Sequence, residues 1–210
     1  MQKSQNTSLS RRAFLSTSLF LACGAVAHSQ LQGGLAEVLP KQTPDRSCRI
    51  VPPGAGGVKR FYDKCTGCQL CVAACPGKVL RPSSEAGRFL QPEVGFESGW
   101  CRPECTACGE VCPTGAILPL TSEQKTAVHV GTARVDLNLC LTVKDDVSCG
   151  NCARHCPTGA IRMVEVEGRE RPVPVVSESL CIGCGACEFL CPSRPVSAIV
   201  VDGLETHRID

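Results

Sequence analysis

Cys65-Thr66-Gly67-Cys68-Gln69-Leu70-Cys71-Val72-Ala73-Ala74-Cys75-Pro76 is the stretch that organises the chain: three cysteines at every third position, a fourth one helical turn further on, and a proline directly behind it. The run returns three times. Cys181, Cys184, Cys187 and Cys191, followed by Pro192, repeat its spacing. Cys101, Cys105, Cys108 and Cys112 before Pro113 widen the first gap, and Cys140, Cys149, Cys152 and Cys156 before Pro157 widen it further. The groups begin roughly 40 residues apart, which makes them an internal repeat.

This run is the bacterial ferredoxin signature for a [4Fe-4S] cubane. Cysteines three apart on a tight loop can turn their sulfurs to three iron corners, while the fourth points away and must serve another centre. Clusters are therefore expected in pairs, four in all, each taking three ligands from one group and one from a partner group. Val72-Ala73-Ala74, Gly109-Glu110-Val111, Ala153-Arg154-His155 and Glu188-Phe189-Leu190 separate the third and fourth cysteines. Each is short enough for one helical turn, which the proline then stops. Gly67, Ala107, Gly150, Gly183 and Gly185 are small enough to let backbone N–H groups approach the sulfurs. Zinc knuckles would leave the third C-x2-C unit and the recurrent Cys-Pro unexplained. Cysteines this dense could not all reach disulfide partners without strained local bridges. No C-x-x-C is followed by the histidine of a c-type haem site. Each group keeps its second cysteine, so none is reduced to a three-iron site.

The rest of the composition agrees. Among 210 residues there are 18 Cys, 20 Gly and 15 Pro but only 6 Phe, 1 Trp and 1 Tyr, so metal ligation has to supplement packing. A net charge of +2 gives no case for nucleic acid or an anionic membrane surface. No G-x-G-x-x-G, P-loop, G-x-S-x-G or H-E-x-x-H occurs, so no nucleotide site and no catalytic residues are expected. Thr132–Leu137 and Val173–Val176 read as strands ahead of groups three and four. Gly115–Leu118, Ala160–Val164 and Ala198–Val201 read as strands behind groups two, three and four. Glu167-Gly168-Arg169-Glu170-Arg171 reads as a hairpin turn. The expected fold class is α+β: two ferredoxin-like dicluster lobes, loop-rich, with small strands and one-turn helices.

Upstream, Met1–Arg12 carries no acid and Ala13–Ala27 is apolar and small, too short to span a bilayer. Ala25-Val26-Ala27 fits a cleavage site that would take Cys23 away with the leader. Ser10-Arg11-Arg12-Ala13-Phe14-Leu15 resembles a twin-arginine signal, with Ser16 in place of the usual lysine; that route exports proteins already folded around a cofactor. Residues 1–27 are therefore expected to be a leader, 28–60 a Pro/Gly-rich linker and 61–210 the cluster-bearing region, in the periplasm, with any membrane association coming through a partner.

With these motifs the chain resembles polyferredoxins of the NapG and MauM kind, which carry a twin-arginine signal and four [4Fe-4S] motifs. The likeness runs from residue 10 to about 203. It includes Pro52-Pro53-Gly54-Ala55 and Cys191-Pro192-Ser193-Arg194-Pro195. It implies an electron-transfer protein rather than an enzyme, fed by a membrane quinol-oxidising cluster protein and delivering to a periplasmic redox protein. A maturation factor for such an enzyme is the alternative. In four-cluster relatives group one pairs with group four and group two with group three. The resemblance thus implies lobe A from 61–99 and 173–203 and lobe B from 100–172, with Cys75 completing the cluster of group four and Cys191 that of group one. Sequential pairing, one with two and three with four, is also sterically open. Trp100 and His155 flank ligands, as a cluster shield or packing residue and as a cluster neighbour or surface residue; Cys48 reads as a non-ligand thiol, His129 and His207 as surface residues.

Overall fold

Proline and glycine keep almost every element short. The computed structural model describes residues 42–209; the leader at 1–27, with Arg11, Arg12 and Cys23, and the linker up to residue 41 lie outside the described residues. Helices α1 (Val58–Lys64) and α2 (Leu70–Ala74) come first, then a hairpin of β1 (Leu80–Pro82) and β2 (Pro92–Val94), with Leu80 opposite Val94. After α3 (Ala107–Glu110), helix α4 (Ser122–Thr126) starts from a capping box in which the Thr121 hydroxyl accepts from the Gln124 N–H while the Gln124 side chain accepts from the Thr121 N–H. Strand β3 (Val128–Val135), helices α5 (Leu141–Lys144) and α6 (Asn151–Arg154), strands β4 (Ile161–Val164) and β5 (Val173–Val176), helix α7 (Ala186–Leu190) and the long strand β6 (Ile199–Ile209) complete the order. Lys41–Asp210 make one compact unit. Mixed short helices and small strands in a loop-rich chain agree with an α+β reading.

Among the described residues three antiparallel two-stranded sheets result: β1 with β2, β4 with β5, and β3 with β6. The β4–β5 hairpin confirms the turn read at 167–171. The third sheet joins the chain between groups two and three to the chain after group four, pairing Val135 with Ile199 and Ala133 with Val201. A register shift between His129 and Gly131 frees the Val130 N–H to donate to Ile182 O at 3.2 Å, which anchors the group-four loop on β3.

Two expectations fail here. Gly115–Leu118 is not a strand, although the same Cys-Pro-Thr-Gly-Ala-Ile sequence leads into β4 after group three. Behind group two, Pro119 removes a ladder donor, the carbonyls of Gly115 and Ala116 accept from Arg60 at 2.9 and 3.0 Å, and the Leu118 N–H donates to Gly54 O. The chain is thereby held against the Pro53-Gly54 loop. That loop belongs to the second failure: the segment read as linker to residue 60 is core from Ile50 onward. Ile50, Val51 and Pro52 are fully buried with Phe61, Phe96 and Val201, and the Pro and Gly make its tight path rather than a flexible tether. A further clasp is ionic. Arg46 grips Glu188 with Nη2–Oε1 at 2.6 Å and Nη1–Oε2 at 3.0 Å, while Glu188 Oε2 also accepts from the Val201 N–H, tying the segment before the core to α7 and β6.

Gly183 sits at φ +74, and a Cβ there would meet the Gly131 backbone at 2.5 Å. Gly159 sits at φ +65 with open space around it. Gly183→Ala is expected to cost about 2–4 kcal/mol, from left-handed strain plus overpacking. Gly159→Ala should cost only the strain, about 1–2 kcal/mol. Comparing the two in thermal unfolding checks this.

Candidate metal centres

Each cysteine group is a loop running into a one-turn helix, as its spacing predicts. In group one Gly67 and Gln69 take left-handed φ of 69° and 67°; in group four Gly183 and Gly185 do the same at 74° and 80°. These turns aim peptide N–H groups at sulfur. The Gly67 N–H opposes the upward push of burial on Cys65, and the Gly183 N–H does the same at Cys181. From outside the loops, the Ala133 N–H of β3 reaches Cys181 Sγ and the Ile117 N–H reaches Cys112 Sγ, both at 3.4 Å. The third cysteine rides on the helix, and Cys75 and Cys191 are C-caps in extended backbone, so each leaves its helix pointing elsewhere.

Where they point corrects the nested pairing. Cys75 lines a cavity with Cys101, Cys105 and Cys108 and is a charge neighbour of Cys101. Cys112 stands with Cys65, Cys68 and Cys71. Cys191 lines a cavity with Cys140, Cys149 and Cys152, and Cys156 is a charge neighbour of Cys181, Cys184 and Cys187. Group one therefore exchanges its fourth cysteine with group two and group three with group four, because the short helices α2 and α3, and likewise α6 and α7, pack on each other. The lobes assigned as 61–99 with 173–203 and as 100–172 do not match this grouping. The four sets also follow one another in space. Cys71 neighbours Cys108, and Cys152 neighbours Cys187. Between the halves Cys101 neighbours Cys184, and the Cys101 N–H donates to Cys184 O at 2.9 Å. The spatial order is group one, two, four, three.

Two of the sets, Cys75 with Cys101, Cys105 and Cys108 and Cys191 with Cys140, Cys149 and Cys152, ring cavities rather than converge on a point; among the described residues no three His, Cys, Asp or Glu side chains gather as they would on one ion. The remaining walls include Val79, Leu80, Val94 and Phe96 in one cavity and Val135, Met163 and Ile199 in another. Burial pushes Cys71 and Cys152 up to about 11 and Cys108 and Cys184 up to about 12, and it holds Cys187 well above the ordinary thiol range; neighbouring cysteine charges add to each shift. Four thiolates in so poor a solvent need a cationic core between them. This chemistry fits an iron-sulfur cluster. At the less buried Cys112, burial acts upward but is outweighed by hydrogen bonds from Ile117, Thr114 and Ala116, which lower its pKa.

The residues outside the ligands divide. Trp100 packs on Phe189 with ring centroids 5.4 Å apart, beside the junction of the two halves. His155 is exposed, its ring bonded to Asn151 O. Cys48 meets Glu205 Oε1 and Arg49 O and stands apart from the sets; burial, then the Glu205 carboxylate, raise it to about 11. His129 is not a surface residue: it is 3% exposed, and its Nδ1 lies 2.9 Å from Cys181 O. His207 is half-buried, which lowers its pKa to about 4. Nothing in the sequence flags the buried Lys125 beside group two or the Arg46–Glu188 clasp, since both depend on long-range packing.

The 4Fe-4S dicluster domain family matches the chain twice, at 64–116 and 147–194. Those two stretches are the adjacent-group halves, less Cys140. The methylamine utilization ferredoxin-type protein MauM of Methylobacillus flagellatus is 33% identical over 142 residues, covering 63% of this chain and 59% of its own. MauM of Methylophilus methylotrophus is 32% identical over 149 residues, with 67% and 65% covered. The ferredoxin-type protein NapF of Escherichia coli K12 is 32% identical over 113 residues, with 53% and 62% covered. The chain thus spans about three fifths of the length of these relatives. With the dicluster domain family matched twice, and with cysteine sets that close within each half, the chain is similar to ferredoxin-type proteins of the MauM and NapF kind.

Proposed function

We propose that the four cysteine sets each hold one [4Fe-4S] cluster, and that the chain relays electrons from a membrane quinol-oxidising cluster protein to a periplasmic redox protein. The observation that carries this reading is the unbroken succession of sets, each a charge neighbour of the next through Cys71 and Cys108, Cys101 and Cys184, or Cys187 and Cys152. Bound there, such clusters supply one-electron transfer. The sixteen cysteines hold them, the apolar walls keep water off the sulfurs, and the N–H donors at Cys65, Cys112 and Cys181 stabilise the charge that reduction adds. Groups one and three stand at the two ends of the succession, so donor and acceptor would meet opposite ends of the chain. The methylamine-utilization role named for MauM supports placement in a redox path of that kind. Among the described residues no helix is long and apolar enough to cross a membrane, and contact with a quinol pool would pass through the donor. The leader at Arg11-Arg12-Ala13-Phe14-Leu15 supports export by the twin-arginine route.

Anaerobically purified protein should contain about 16 iron atoms and about 16 sulfides per chain; half that content, or stoichiometric zinc, would remove the four-cluster reading. A double substitution tests the wiring. Cys75→Ala with Cys105→Ala should lose one site's worth of iron, as each single change does, whereas nested pairing would lose two. Changing Arg11 and Arg12 together to lysine should leave the protein in the cytoplasm, followed by fractionation, and normal export would refute the twin-arginine assignment.

A further inference from the structure

Lys125 is an unusual residue to find inside a protein of this size. It stands in α4, directly after the polar capping box formed by Thr121 and Gln124, yet it is only 4% exposed. Its Nζ donates to the carbonyl oxygens of Arg102 and Pro103 at 3.0 and 3.2 Å, and these are the two residues between Cys101 and Glu104 in the loop of group two. An ammonium has three donors. Its charge also lies near Cys101, where it opposes the upward push of burial on that thiol. Lys125 further lines a small cavity with Cys105 and Cys108. Among the described residues it has no carboxylate partner. Two neutral carbonyls satisfy its donors without balancing its charge, and a buried, unbalanced cation is costly.

A cluster held by four thiolates is net negative, and reduction adds one more negative charge. That charge would rest beside Lys125, in surroundings where water screens little. Among the described residues Lys125 is the one Lys or Arg that is buried. Arg194 donates to the carbonyls of Cys191 and Ser193, beside the group-three set, but its side chain is exposed to solvent. Cys181 feels Arg208, whose side chain is exposed to solvent.

We propose that Lys125 is a positioning residue for the group-two site, fixing the Arg102–Pro103 loop and holding a buried positive charge that favours the reduced state of the cluster bound by Cys75, Cys101, Cys105 and Cys108. This rests on the four-cluster reading above. It makes the second site of the succession the easiest to reduce, a resting place for an electron inside the relay rather than at either end.

The test is a potentiometric titration of the intact, cluster-loaded protein at one pH, followed by electron paramagnetic resonance. The variants are Lys125→Met, Lys125→Gln and Lys125→Arg. In the Met and Gln variants one component is expected to become about tenfold harder to reduce at a fixed potential, a shift of about 59 mV to the negative for a one-electron couple. The other components should stay in place, and Lys125→Arg should keep the parent value. Components that all stay put, that all move together, or that move equally in the Arg variant would overturn the proposal. So would loss of iron from both neutral variants, which would make Lys125 a strut rather than a source of charge. Wild-type protein without clusters would instead defeat the four-cluster reading, and the iron content separates that failure from this one.

Discussion

The direction in which a fourth cysteine leaves its helix governs this molecule. Three cysteines on a glycine-turned loop face one cavity; one helical turn later the fourth is a cap or a residue past the cap, and it faces another. No group can therefore complete a cluster alone, and every group must be packed against a second. The neighbour it finds is decided by which short helices touch, α2 on α3 and α6 on α7. Each half is then closed by exchange of a single side chain in each direction.

Regular secondary structure is subordinate to that arrangement. The strands are clamps placed on loops: the β1–β2 hairpin covers group one, with Gln91 Nε2 donating to the carbonyls of Tyr62 and Cys65, and β3 supplies donors to the loop of group four. The apolar core is real but small, centred on Ile50, Val51, Phe61, Phe96 and Val201. Those side chains fill the space behind the cavities and leave the thiols as the remaining walls, so the same residues that exclude water from the core raise the thiol pKa values at the sites.

What could be read in the sequence was what depends on neighbours along the chain. The cysteine loops, the one-turn helices, the proline stops and the hairpin between β4 and β5 all follow from local spacing and turn chemistry. What could not be read was set across the fold. The exits after Cys112 and Cys156 share one sequence without making groups two and three partners: the likeness reflects a common local turn, and one copy meets a strand while the other meets Arg60 and Gly54. Pro52 and Gly54 looked like tether because composition does not distinguish a flexible path from a tightly packed one. His129 looked like an ordinary surface residue, and nothing marked Lys125, because their burial comes from the group-four loop and the Arg102–Pro103 loop, neither of which is adjacent to them in sequence.

Strand β6 has a consequence for how the protein is made. It pairs with β3, its Thr206 bridges Gly57, and its Gly203 N–H donates to Cys48 O. Three segments synthesised much earlier thus wait for the last of the described strands before they gain their partners. During synthesis the first two cysteine groups can find each other before β6 has been made, but the sheet that backs the group-four loop closes only once it has. The support of one half thus comes later than that of the other, in the order in which the chain is made.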